Sequence, residues 1–340
     1  MTLLPLAART TLRVGGMPAA EVVIESLADV EAVFDDLRLS AHKWTVLGGG
    51  SNVVAADGPL DLTVILMRAS HIDAVTDGDA VIATVDAGAS WDELVELAVR
   101  EGWSGIEALS GIPGSVGATP IQNVGAYGSQ VSDVISQVEV FDPVSGMRRW
   151  LMADECDFGY RSSIFKRNPL AAIVTRVRFV LQQGRVSAPV RYAQLAEALG
   201  ISIGESAPTA SVRQAVLALR RSKGMVLDPG DHDTWSAGSY FTNPRIDADV
   251  AARFPEAPQW TEPDGCVKVS AAWLIEAAGF PRGFGLADSN IAISSKHALA
   301  LTNRGGGTAF QVRALETAIT AGVRTAFGVE LEREPVLLGF

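Results

Sequence analysis

Apolar positions along the chain follow two rhythms. Alternating or continuous apolar runs predict strands at AEVVIES, WTVLGGGSN, LTVILM, AVIATVDAG, VISQVEVFD, AAIVTRVRFVL and PVLLG. LTVILM is apolar enough to be buried on both faces. A rhythm of about 3.6 residues predicts helices. Ser26 is placed to cap one whose apolar face is Leu27, Val30, Val33, Phe34 and Leu37. SWDELVELAVREG predicts a second, with Ser90 and Glu93 as a capping box and Gly102 as its stop. SVRQAVLALRRSKG predicts a third, boxed by Ser211 and Gln214. In TAFQVRALETAITAGVRTAFG, Thr308 and Gln311 box the start, Val312, Leu315, Ile319 and Val323 line one face, and Gly328 ends the helix. FPEAPQWTEPDG and NRGGGT read as loops. Strands and helices mix without strict alternation, so the expected fold class is α+β rather than a doubly wound sheet.

The 340 residues suffice for two or three domains with a sizeable core, and 48% apolar against 20% charged residues is an ordinary globular balance. An excess of 39 acidic over 28 basic residues gives a net charge of −11, which argues against nucleic acid as the partner. Cys156 and Cys266 have no CxxC spacing, and His42, His71, His232 and His297 form no HxxxH pattern, so no zinc site is expected and both thiols read as buried. MTLLPLAARTTLRVGG has no signal-peptide pattern, and no apolar run approaches the ~20 residues of a membrane span. A cytoplasmic monomer without membrane contact is the expectation.

Two glycine loops carry the first chemical signal. GGGSN (Gly48, Gly49, Gly50, Ser51, Asn52) follows a predicted strand but is neither GxGxxG nor a P-loop. SGIPGSVGATPIQNVGAYG, residues 110 to 128, repeats the composition. Gly111, Gly114 and Gly117 free the backbone, and Ser115, Thr119, Gln122 and Asn123 supply donors. Glycine lets backbone amides approach an anion without a Cβ in the way. Two such loops could bracket a pyrophosphate without formal charge; tight turns at sheet corners are the alternative reading of either loop alone.

LGGGSNVV, SGIPGSVGATPIQNVGAYG, FGYRSSIFK, AGSYFTNP, AAWLIEAAG, SSKHALALTN and LEREPV occur in this order. Together they resemble the UDP-N-acetylenolpyruvoylglucosamine reductase family over nearly the whole chain. The resemblance implies a two-part FAD-binding domain of the type shared with flavin oxidases (residues 1–70 and 71–210) and a C-terminal α+β substrate domain (211–334). The strand at 335–340 would return to the first part. It implies FAD and NADPH as cofactors and a nucleotide-sugar enolpyruvyl ether as substrate, in peptidoglycan precursor synthesis. Flavin contacts are expected at Gly48, Gly49, Gly50, Ser51, Asn52, Ile112, Pro113, Gly114, Ser115, Gly117, Ala118, Ile121, Asn123, Gly125 and Ala126.

The implied reaction passes a hydride from NADPH through the flavin N5 to the methylene carbon of the enolpyruvyl group. Negative charge then builds on the conjugated carboxylate, and the adjacent carbon takes a proton. Such chemistry needs a cation or donor at the carboxylate and an acid at the carbon. By motif, Arg161 offers a bidentate fork, Glu334 a carboxyl kept protonated by burial, and Ser239 the proton. Lys223 is expected to lower the cost of Ser239 ionisation. Tyr127, Tyr160, Tyr192, Lys223, Asn243 and His297 are the expected substrate contacts, with Tyr192 matching the loop tyrosine of one family branch. Each has a bland counterpart. Arg161 could pair with Asp157 or a surface acid, Glu334 could be one of three ordinary acids with Glu330 and Glu332, Ser239 a turn hydroxyl, Tyr192 a partly buried strand-end tyrosine, Lys223 part of a solvated charge run, and His297 a core residue on a strand. Thr242 stands where the family often has lysine, and Arg245 is the candidate to replace that charge. The competing functions are a flavin oxidase of a small hydroxy compound and an inactive nucleotide-sugar binder.

Overall fold

The structure is a computed structural model that describes residues 3–40 and 43–340, so His42 lies outside the described residues. The chain forms two compact units. One comprises residues 19–49 and 61–222; the other gathers the N-terminal segment to Pro18, residues 50–60 and residues 223–340.

In the 19–222 unit, the antiparallel path runs Arg148–Met152, Ile135–Phe141, Ile173–Gln183, Ala80–Asp86, Ile72–Asp77. Its register aligns Val138, Val177 and Val85 across three strands, and all three are fully buried. The helix Trp91–Glu101 covers this sheet with Trp91, Leu94, Val95 and Ala98, each side chain worth roughly 1–3 kcal/mol when removed from water. Gly102 closes the helix in the left-handed conformation expected. The Ser90–Glu93 capping box does not form: Ser90 makes no side-chain cap and instead bridges Ser115 in the glycine loop. Thus the chain entering this helix is held by loop pairing rather than by a hydroxyl. A second sheet orders Met17–Ile24, Pro59–Met67 and Trp44–Leu47, the last two parallel. Leu62 to Met67 are all buried, as the apolar run predicts. The helix Val30–Ser40 packs here with Val30, Phe34 and Leu37, and Ser26 caps its leading turn through the Ala28 amide. The helices Ala193–Leu199 and Thr209–Ser222 share a smaller core of Val190, Leu195, Ala196, Val212 and Val216. The latter begins at Thr209, so Ser211 lies inside it and the Ser211–Gln214 box is not its start.

The other unit is built on Ser236–Ser239, Ala300–Asn303 and Ile291–Ile293, with Arg245–Ile246, Val267–Val269 and Gln259–Thr261 as a second small sheet. The helix Ala309–Phe327 buries Val312, Leu315, Ile319 and Val323 against Tyr240 and Phe241, and ends at Gly328. Its Thr308–Gln311 capping box is present, and Asp57 accepts from the Ala309 and Phe310 amides at 2.9 Å each. A carboxylate there also opposes the positive end of the helix dipole. The C-terminal strand Val336–Leu338 pairs in parallel with Val53–Ala55. Both cysteines are free thiols; Cys156 is buried, Cys266 only partly.

Candidate active site

In the 19–222 unit the two glycine loops meet. A methyl group on Gly49 would sit 2.6 Å from Gly114 Cα, and one on Gly48 2.5 Å from Ser115 Oγ. The Gly49 clash is with backbone, so glycine is required there for the loop-on-loop approach, whereas the Ser115 hydroxyl could rotate away from a methyl on Gly48. Gly117 crowds Ala87 in the same way and donates its amide to the Ala87 carbonyl. Among the described residues, no acceptor answers the amides of Gly48, Gly49, Gly114 and Ser115. Four clustered N–H groups, one of them on buried Ser115, are the donor set a phosphate or a flavin edge accepts from. This uncharged donor set thus fits an anionic, flat cofactor. Ile112, Pro113, Ala118, Ile121, Gly125 and Ala126 are half-buried along the same segment. Ile112, Ile121 and Ala126 back onto the core, leaving little but their edges to offer a ligand.

Arg161 belongs to a second motif docked on the first. Its Nη2 donates to the Gly125 carbonyl at 2.6 Å and its Nη1 to that of Asn123 at 3.5 Å. Asn123 in turn donates from Nδ2 to the Gly159 carbonyl at 3.2 Å and accepts the Ser132 amide on Oδ1. Ser163 donates to the Ile121 carbonyl and caps the short helix Ile164–Arg167. PIQNVGAYG and GYRSSIF are therefore one hydrogen-bonded body, and the Asn123 side chain is spent building it. Asp157 pairs with Arg167 rather than with Arg161. Non-glycine residues with left-handed φ concentrate here: Asn123 at 46°, Tyr127 at 51°, Asp157 at 43° and Arg161 at 52°, of six such residues described. Strained backbone persists where the surroundings over-determine it, and it clusters at functional sites.

Tyr127 and Tyr192 meet edge-on with centroids 5.5 Å apart, and exposed Tyr160 lies 5.7 Å from the Arg161 guanidinium. Burial pushes the Tyr127 phenol up, against the opposing pull of Arg220. Arg220 is itself buried, and burial lowers its affinity for the proton while Tyr127 and Asp92 raise it. Asp92 accepts the Gly111 amide at 2.6 Å and a forked pair from Arg213 at 2.6 and 3.1 Å. Burial pushes its carboxyl up, but those bonds outweigh it and hold the group below the ordinary carboxylate range. Asp92, Arg213 and Arg220 were not expected from sequence. The only signal was the seven-residue spacing of the two arginines on one helical face, which otherwise reads as a solvated charge run.

Ser239 and Glu334 lie on neighbouring segments of the other unit. The Glu334 amide donates to the Tyr240 carbonyl at 2.9 Å, and the Thr242 amide to the Glu332 carbonyl at 3.0 Å. Asn52 donates from its side chain to the Glu334 carbonyl at 3.4 Å and accepts the Val336 amide at 2.9 Å, so it fixes the acidic tail from both sides. Gly50 is pressed against the Arg9 carbonyl, and its own carbonyl takes the Thr11 amide; Ser51 is half-buried beside it. Ser239 ends its strand after Gly238 and stands 3.5 Å from His297 Nε2. His297 sits in the turn before Ala300–Asn303 rather than on a strand. Asn243 accepts the Ala271 amide at 3.0 Å, starting the helix Ala271–Ala277. Arg245 is engaged by Asp264, and Lys223 is half-buried.

Residues 18–151 match the family described as FAD binding domain, and residues 228–338 match the UDP-N-acetylenolpyruvoylglucosamine reductase C-terminal domain. A UDP-N-acetylenolpyruvoylglucosamine reductase from Thermobifida fusca is 50% identical, over 98% of this chain and 97% of its own length. The Cutibacterium acnes enzyme of that name is 48% identical, over 98% and 89%. The crystal structure of the Thermus caldophilus reductase aligns with a TM-score of 0.66 at 25% identity, over 99% of this chain and 98% of that one. Among the described residues no helix is long and apolar enough to cross a membrane.

Proposed function

Because the chain belongs to the UDP-N-acetylenolpyruvoylglucosamine reductase family, we propose that it reduces UDP-N-acetylglucosamine enolpyruvate to UDP-N-acetylmuramate with NADPH and FAD. The observation that carries this reading is 50% identity sustained over 98% of the chain. The net change adds one hydride and one proton across the enolpyruvyl double bond and leaves NADP⁺. When bound, FAD supplies a two-electron relay between NADPH and the alkene. Gly48, Gly49, Gly114 and Ser115 would hold it through their unanswered amides, with Gly117, Ala118 and the rest of the two loops shaping the cradle.

Arg161 and Glu334 stabilise the carboxylate as charge builds on it, and Ser239 gives the proton to the adjacent carbon. The bonds from Arg161 to the loop carbonyls support this role, because they hold the guanidinium in place before substrate arrives. Tyr127, Tyr160, Tyr192, Asn243 and His297 contact the nucleotide sugar, and Lys223 eases ionisation of Ser239. Arg245, the candidate for the diphosphate, is paired with Asp264 at the surface and would have to leave that carboxylate to take it. This reading keeps the three-part division near residues 70 and 210 and expects a cytoplasmic monomer. The test is anaerobic. NADPH should bleach the flavin band, and substrate should restore it with release of the lactyl ether. Arg161→Ala should slow the restoration by about a hundredfold or more. A flavin that substrate cannot reoxidise, or that oxygen reoxidises faster than substrate, refutes the assignment.

A further inference from the structure

Ser239 and His297 are placed on each other by backbone bonds. Ser239 is registered against Ala300, and the Tyr240 amide donates to the Leu299 carbonyl at 2.7 Å. The turn carrying His297 is closed by Ser294 N–H to Ala300 C=O at 2.8 Å and by Ala300 N–H to His297 C=O at 3.1 Å. Its other polar side chains turn elsewhere: Lys296 to Asp231 at 2.5 Å and Ser295 to Asp233. From this frame His297 Nε2 reaches to 3.5 Å from Ser239 Oγ, a separation typical of resting sites that tighten on occupation.

The direction of that bond decides what the serine can do. A bare Nε2 accepts the hydroxyl proton and prepares a nucleophile, the wrong polarity for a proton donor. An Nε2–H donates to Oγ, leaves the hydroxyl proton for the substrate carbon and stabilises the alkoxide that forms. We infer that His297 is a positioning residue for Ser239, holding the serine oxygen with a donated Nε2–H so that the hydroxyl proton is delivered outward. This rests on the proposed role of Ser239 as proton donor. The proton still comes from Ser239, and His297 keeps its own.

Two measurements test the inference. The first is ¹H–¹⁵N imidazole correlation on the protein with its bound FAD. The chain has four histidines, and His297→Gln assigns the signal by its loss. The Nε2 resonance should lie in the protonated range and shift in Ser239→Ala. A bare Nε2 overturns the inference. The second is stopped flow on each half-reaction. At saturating substrate, His297→Ala should slow substrate-driven reoxidation by about ten- to a hundredfold, the range of one charge-assisted hydrogen bond, and by more than it slows flavin reduction by NADPH. His297→Gln, whose amide also donates, should recover most of that loss. Equal loss in both half-reactions, or no recovery in His297→Gln, overturns it. If Ser239→Ala reoxidises at the wild-type rate, the proposed role of Ser239 itself falls, and that outcome is read separately from any His297 variant.

Discussion

Glu316 fastens the acidic tail to the helix Ala309–Phe327 through Arg333, and its removal is the most informative perturbation. The carboxylate stands on the Ala309–Phe327 helix with 9% of its side chain exposed. Tyr240 Oη donates to it at 2.6 Å, Arg333 Nη1 at 2.7 Å, and Arg313 one turn earlier completes the set. Glu316→Ala leaves the Tyr240 hydroxyl buried without an acceptor, a loss of about 1–3 kcal/mol. It also strips the counter-charge from two arginines. Those are 29% and 34% exposed, so water recovers part of their loss and the full ~3–5 kcal/mol of a broken buried pair is not reached. The total expected is about 3 kcal/mol. Glu316→Gln keeps an acceptor for Tyr240 and should cost about half as much. Arg333 bridges Phe241 and precedes Glu334, so the loosened tail should also slow substrate-driven reoxidation. The assay is the urea midpoint followed by tryptophan fluorescence, with the two half-reactions measured in parallel. A Glu316→Ala protein within about 0.5 kcal/mol of wild type would refute this account of the network.

Three further outcomes follow from the same geometry. Gly49→Ala forces the glycine loops apart, because the new methyl meets Gly114 Cα at 2.6 Å; FAD affinity measured by fluorescence titration should fall by at least about tenfold. Asp92 is held below its ordinary range, so its contribution is present above about pH 4 and lost as pH falls through the folded value; Asp92→Asn should cost about 1–2 kcal/mol at neutral pH and flatten the acid limb of a midpoint-versus-pH curve. Burial, aided by Glu155 and Asp154, pushes the Cys156 thiol up to about 12, so its stabilisation is complete below about pH 9 and lost as pH rises toward the folded value; Cys156→Ala should lessen the alkaline fall between about pH 9 and pH 11.

The longer elements were legible because each carries a complete local signal. Thr308, Gln311 and Gly328 mark both ends of a helix whose apolar stripe needs no partner to be recognised, and the short apolar run LTVILM reads as a strand apolar enough to be buried on both faces. Ser90 and Ser211 show where local signals give way. Ser90 has the residue type and spacing of a cap, but pairing with Ser115 captures its backbone in an extended bridge. Ser211 lies inside a helix that begins two residues earlier. No periodicity records the pairing of Val53–Ala55 with Val336–Leu338; the expectation that residues 335–340 return to the first part rests on the family resemblance alone.

The same limit separates what the motifs revealed about the site from what they hid. Glycine content announced the loops, but a glycine can serve a ligand or a neighbouring chain, and composition does not distinguish them. Gly49 and Gly114 let each other's backbone approach, and the approach gathers amides for which the described residues supply no acceptor. Asn123 and Asn52 look like ligand donors in sequence, yet their side chains fasten the Arg161 motif and the Glu334 tail. Each therefore has a structural task beside any contact to a ligand. An asparagine-to-alanine change at either position should disturb the placement of a reacting group before it removes any contact to cofactor, and reoxidation kinetics should register it more strongly than FAD affinity.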